Sequence, residues 1–265
     1  MNAQEAGPGT PGPSTAGPST AGAAAPRADE ADTGGSEPRD CARRAVTHPE
    51  LPPGRGDRAG GYGVMGLPFA SGHYLALRHF TASSFGPAYR SVWHRDPQGR
   101  WTVHADVPPE VSCARFLGPA LTAARTARIG IDWTGPRSVT VTVDGVLTWS
   151  FELGTDAATW LMSTMGARMP ASACHAAWLL GPMGRAAGPV LSAGRMRLHG
   201  TMPAGQVFGA MPRRVWRIVR TEAQVDGADP GPPGPLEQQV RLGGFLLPQR
   251  GIFFADAAAV FTDPR

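Results

Sequence analysis

The strongest alternation of apolar and polar positions lies between residues 127 and 153. Ile129, Ile131 and Trp133 alternate with Arg128, Gly130 and Asp132; Val139, Val141 and Val143 alternate with Ser138, Thr140 and Thr142; Leu147, Trp149, Phe151 and Leu153 carry the period on. Successive strand side chains point to opposite faces, so this spacing predicts a three-stranded meander with one buried face. Thr134-Gly135-Pro136-Arg137 and Asp144-Gly145 supply its turns. A bulged turn through Thr142-Val143-Asp144-Gly145 sets Val141 opposite Leu147 and Val139 opposite Trp149, which keeps the apolar set together.

A second hairpin is predicted at 89–106. Asp96-Pro97-Gln98-Gly99 reads as a type I turn followed by a left-handed glycine. That register pairs Asp96 with Arg100, His94 with Thr102, Val92 with His104 and Arg90 with Asp106. One face then carries Tyr89, Ser91, Trp93, Trp101, Val103 and Ala105, and the other Arg90, Val92, His94, Thr102, His104 and Asp106. Upstream, His73 to Phe80 alternates as a strand, with Tyr74, Ala76, Arg78 and Phe80 on one side and His73, Leu75, Leu77 and His79 on the other.

The period changes over residues 155–188. Gly154 or Thr155 can cap a helix reaching about Met169, and a second helix can run from Ser172 to the Gly181-Pro182 stop. Strand signals resume at Arg195–His199, Gln206–Met211, Val215–Arg220, Gln239–Leu247 and Gly251–Phe254. Ten or eleven short strands with one inserted helical pair predict a mainly β fold, an antiparallel β-barrel or two-sheet sandwich.

Residues 1–60 hold 10 glycines and 9 prolines and little that could be buried, so they are expected to form a disordered tail ahead of a single β-rich domain at 61–265. Gly61-Tyr62-Gly63-Val64-Met65-Gly66 matches G-x-G-x-x-G. With no strand expected before it and Leu67-Pro68-Phe69 after it, it reads as a glycine-rich entry into the fold and not as a dinucleotide fingerprint.

All 25 basic residues are arginine, which excludes chemistry that needs a Schiff-base or P-loop lysine. Residues 1–60 carry six arginines against eight acids, and residues 61–265 carry 19 against 13. Cys41, Cys113 and Cys174 are too few and too scattered for a zinc ribbon or disulfide framework, and Cys113 reads as a buried thiol. No signal-peptide pattern or long apolar run is present, so no membrane partner is expected and a cytoplasmic location is. Arg213, Arg214, Arg217 and Arg220 surround Trp216, but no RNP-type motif or zinc finger accompanies them.

The run Ser91-Val92-Trp93-His94-Arg95-Asp96-Pro97-Gln98-Gly99-Arg100-Trp101, with Pro248-Gln249-Arg250-Gly251-Ile252-Phe253, resembles a family of uncharacterised proteins from high-GC bacteria. The meander-rich pattern is more distantly similar to lipocalin-like barrels, including the carotenoid hydratase and tocopherol cyclase group. That resemblance implies a barrel and carries no catalytic motif over to this chain.

Three readings of function follow. The first is a β-barrel holding an apolar or amphipathic small molecule, with Trp149, Trp160, Met162 and Met165 as candidate ligand contacts. The second is a cofactor-independent cyclase, hydratase or isomerase in which His94 or His104 acts as acid–base with Arg90 and Asp106 in support; it requires both histidines to point into a cavity. The third is a basic nucleic-acid or protein interaction module. No cofactor and no metal site are expected, since no histidine spacing demands one.

Overall fold

A computed structural model describes residues 37–264. The tail expected to be disordered therefore lies outside the described residues up to position 36. The remainder of it is structured: Pro38–Thr47 forms helix α1, and the first strand, β1, spans Asp57–Pro68. Proline opens α1 at its first turn, and the helix lays Cys41, Ala42 and Ala45 into the core. Small apolar residues three and four apart suffice for that contact, which is why a composition dominated by glycine and proline concealed it.

Strands β2 (Tyr74–Ser83), β3 (Tyr89–Arg95), β4 (Trp101–Ala105) and β5 (Ala123–Thr126) extend the sheet from β1, with β5 parallel to β4. A four-residue helix α2 (Ala114–Leu117) interrupts this arm. Strands β6 (Ile129–Trp133), β7 (Ser138–Val143) and β8 (Leu147–Gly154) form the predicted meander. Helices α3 (Ala157–Ala167) and α4 (Ala177–Val190) follow. The chain closes through β9 (His199–Thr201), β10 (Val207–Met211), β11 (Arg214–Val225), the short hairpin β12 (Arg241–Leu242) and β13 (Phe245–Leu246), and β14 (Ile252–Thr262).

One 12-stranded, almost wholly antiparallel sheet results, ordered β5-β4-β3-β2-β1-β14-β11-β8-β7-β6, with β10 and β9 branching from β14. The fold is mainly β, as predicted, with the expected helical pair inserted after β8. The branch arises because β14 changes partner along its length. Ile252–Ala255 pairs with β11, and Ala258–Thr262 pairs with β10, while β1 runs along the other edge throughout. Asp256, with φ 50°, sits at the junction and accepts Arg214 at 3.4 Å.

The sheet curls until its two arms approach, and Arg90 on β3 donates to the carbonyl of Ile129 on β6 at 3.1 Å. The curl encloses a core containing Val64, Leu75, Leu77, Val92, Trp149 and Phe253. The opposite face of β1–β4 is also covered, by α2, β10 and the 236–247 segment, around Tyr74, Trp93, Trp101, Phe116 and Phe261. Both faces are thus buried, where a sheet with one solvated face was one of the possibilities open in the sequence.

The first hairpin has the predicted register: Asp96 N–H donates to Arg100 O, His94 pairs with Thr102, Val92 with His104, and Asp106 N–H donates to Arg90 O. Gly99 has φ 85° and completes the bulged turn. The second differs from expectation. Val143 pairs with Leu147 and Val141 with Trp149 across the three-residue loop Asp144–Val146. The expected and observed registers keep the same side chains inward, so alternation alone does not separate them. The second helix also differs: α4 runs through Pro182, because Gly181 lacks the Cβ that drives a pre-proline residue out of the helical region. No helix among the described residues is long and apolar enough to cross a membrane.

Candidate ligand-binding site

The histidine face of the first hairpin points into the curl. His94 and His104 are both buried. His73 Nδ1 and His94 Nε2 lie 2.9 Å apart with their rings stacked, so one nitrogen donates and the other accepts. His79 Nδ1 and the Tyr62 hydroxyl are 2.8 Å apart. Burial, reinforced by neighbouring His73 and His104, holds His94 down at about 4, and burial, with Arg90 nearby, does the same for His79. His104 is lowered by burial and by Arg125, and its Nδ1 has no hydrogen-bond partner among the described residues. Arg90 sits 3.6 Å from Asp106, whose carboxylate also accepts the Arg90 backbone N–H at 2.7 Å. Arg90 and Asp106 thereby brace the open end of the hairpin. These side chains pack inside the curl, and none of His94, His104, Arg90 or Asp106 lines the apolar cavity described next.

That cavity, about 130 Å³, lies on the other face of the same strands. Its floor is the sheet, through Met65, Arg78, Trp93, Phe254 and Phe261. Its roof is the segment Met196–Met202 and the chain from Phe245 to Pro248. Side-chain hydrogen bonds to backbone hold the roof in place. Gln239 accepts from Arg195 N and donates to Arg195 O and Leu247 O; Gln249 donates to Leu236 O; the buried Tyr74 hydroxyl donates to Pro248 O at 2.8 Å. Arg197 is the exposed residue among those lining the cavity and marks its rim.

Arg78 is the charge in this apolar surround. It occupies β2 between Leu77 and His79, on the face with Tyr74, Ala76 and Phe80. Its guanidinium packs over Trp93 at 4.6 Å and Phe254 at 5.4 Å. Where the β1–β2 ladder slips between Val64 and Leu67, Nη1 donates to the carbonyls of Val64 and Leu77, and Nη2 to Met65 O at 3.4 Å. No carboxylate among the described residues lies within 4 Å of it. Burial lowers Arg78 to about 10, so it stays protonated at neutral pH. Cys113 also lines the cavity; its Sγ accepts the Trp93 indole N–H at 3.2 Å and lies 3.4 Å from Ser91 Oγ, and burial pushes the thiol up.

The four expected ligand contacts do not converge. Trp149 is fully buried inside the curl, where its Nε1 donates to Thr221 Oγ1 at 2.9 Å. Met162 packs beside Leu191 and Ile252, and Trp160 and Met165 are exposed on α3. None of the four lines the cavity. The inserted helical pair contributes nothing to the cavity, whose roof is instead β13, the chain beside it and the chain flanking β9. Arg78 was visible only as an isolated charge on an apolar strand face. The cluster around Trp216 is engaged within the fold: Arg213 donates to Ala167 O, and Arg214, Arg217 and Arg220 pair with Asp256, Asp156 and Glu152.

No family model matches the chain, and no curated protein matches it. Among solved structures, the acetoacetate decarboxylase of Legionella pneumophila is similar to it at a TM-score of 0.37 and 8% identity, over 83% of this chain and 93% of that one. At that level the likeness carries nothing to the chemistry of this chain.

Proposed function

We propose that this protein binds a small, largely apolar molecule in the cavity between the β1–β3 face of the sheet and the 196–202 and 245–248 roof, acting as a carrier or sensor. The observation behind the reading is the cavity: about 130 Å³, walled mainly by Met, Phe, Trp, Leu and Ala side chains and kept open under a roof fixed by hydrogen bonds. Mainly apolar cavities of this order accept a benzene-sized guest. No set of acid, base and nucleophile lines it, so binding fits the geometry better than catalysis.

The test is a thermal-shift and calorimetric titration with benzene-sized apolar compounds. A ligand present at 100 times its Kd raises stability by about 2.7 kcal/mol. Ala259→Leu fills part of the space and is expected to abolish the shift while leaving the fold intact. Absence of saturable binding by every compound of that size would sink the proposal.

A further inference from the structure

The cavity's one enclosed charge says more about the guest, on the assumption that the cavity binds one. An arginine side chain has five N–H donors. Arg78 uses three, on Val64, Leu77 and Met65 carbonyls. Its Nε–H and one Nη2–H have no protein acceptor among the described residues, although Nε is not among the sealed, unpartnered nitrogens of the fold. Those two donors form the edge of a guanidinium that grips a carboxylate bidentately.

The rest of the site fixes the sign and amount of charge. The guanidinium lies against Trp93 and Phe254, which stabilise a cation but do not neutralise it. A charge removed from water with no counter-ion carries a penalty of several kcal/mol. The other basic residue of the lining, Arg197, is at the exposed rim, where solvent screens it. One enclosed cation and no enclosed acid are balanced by a guest of charge −1. A phosphate dianion would leave a charge unmatched, and a neutral guest, even one that accepts from both donors, would leave the guanidinium without a counter-charge.

We infer that the ligand is a monocarboxylate with a compact apolar body, its carboxylate on the Nε–Nη2 edge of Arg78 and its body against Trp93, Phe254 and Met196. The carbonyls that hold Nη1 are positioning groups, since they orient the free edge into the cavity. A purely structural Arg78, stapling the slipped ladder, predicts no preference between a charged and an uncharged guest.

The experiment compares three guests of one size on the full chain by calorimetry: phenylacetate, phenylacetamide and toluene. The expected result is saturable binding of phenylacetate at least tenfold tighter than phenylacetamide, with toluene bound more weakly. Arg78→Gln is expected to remove the preference for the acid while toluene still binds, and Arg78→Lys to restore part of it. Equal binding of acid and amide by the unaltered protein overturns the charge assignment and leaves the apolar cavity standing, with no need of any variant. Retention of the full acid preference in a folded Arg78→Gln protein also overturns it. Failure of all three guests, toluene included, overturns the cavity reading and the carboxylate with it.

Discussion

Arg78 and the buried histidines place opposite demands on the same few strands. Arg78 keeps its charge against burial, whereas His79 and His94 give theirs up. Both histidines are held at about 4 in the fold, against an ordinary value near 6.5 once unfolded. Between those values the unfolded chain binds more protons, so stability rises with pH across the window, is complete above about 6.5, and is lost as pH falls toward 4. Each histidine contributes a slope approaching about 1.4 kcal/mol per pH unit. Urea midpoints measured from pH 7.5 to 4.5 are expected to fall accordingly, and His94→Gln to flatten the curve in part, with His79 and His104 still contributing; a midpoint independent of pH in that range would refute this. Cys41, Cys113 and Cys174 are all buried, so a thiol reagent should modify none of them until denaturant is added. The sequence exposed some of this and hid the rest. It placed His94 and His104 on one strand face with Arg90 and Asp106. It could not show that this face turns inward, because inwardness depends on the distant β6–β8 meander curling over it.

At the level of elements, the bulged turn at Asp96–Gly99 was readable because aspartate, proline and glycine each carry a backbone instruction. The turn after β7 was not, because two registers with equal parity satisfy the same apolar pattern. The glycine-rich run read as an entry into the fold is part of a strand, β1, which its composition did not announce. Its glycines look like flexibility, yet each is set by a neighbour: a Cβ on Gly63 would lie 2.1 Å from Leu77 O, and one on Gly61 would lie 2.0 Å from His79 O. Gly63→Ala is therefore expected to cost roughly 3 kcal/mol or more, since the obstacle is backbone in the middle of the sheet. Gly145→Ala meets nothing within 4 Å and should cost only about 1 kcal/mol, from its φ of 70°. Equal losses in urea unfolding would show that space around Gly63 is not what fixes that position. On α3, the Asp156 carboxylate accepts Thr159 N–H while the Thr159 hydroxyl accepts Asp156 N–H, and Asp156→Ala should cost about 1 kcal/mol through this reciprocal cap.

The whole molecule depends on contacts far apart in sequence. Deleting residues 1–50 removes α1 and exposes the part of the core under Cys41, Ala42 and Ala45, and should lower stability by roughly 2–4 kcal/mol. An unchanged urea midpoint would show that the core does not depend on that segment. Ten or eleven strands were expected and fourteen are present among the described residues, β1 and β5 among those missed; the mainly β character and the inserted helical pair were legible because each rests on local spacing. The order of strands was not, since no local feature says that β1 pairs with β14, two hundred residues away. That pairing has a consequence for the time at which the molecule becomes itself. Both arms of the sheet are synthesised before the strand that joins them, and until Ile252–Thr262 docks, the edges of β1 and β11 stand open and the cavity floor lacks Phe254 and Phe261. The interval before that strand docks is when this chain is most exposed to pairing with the wrong neighbour.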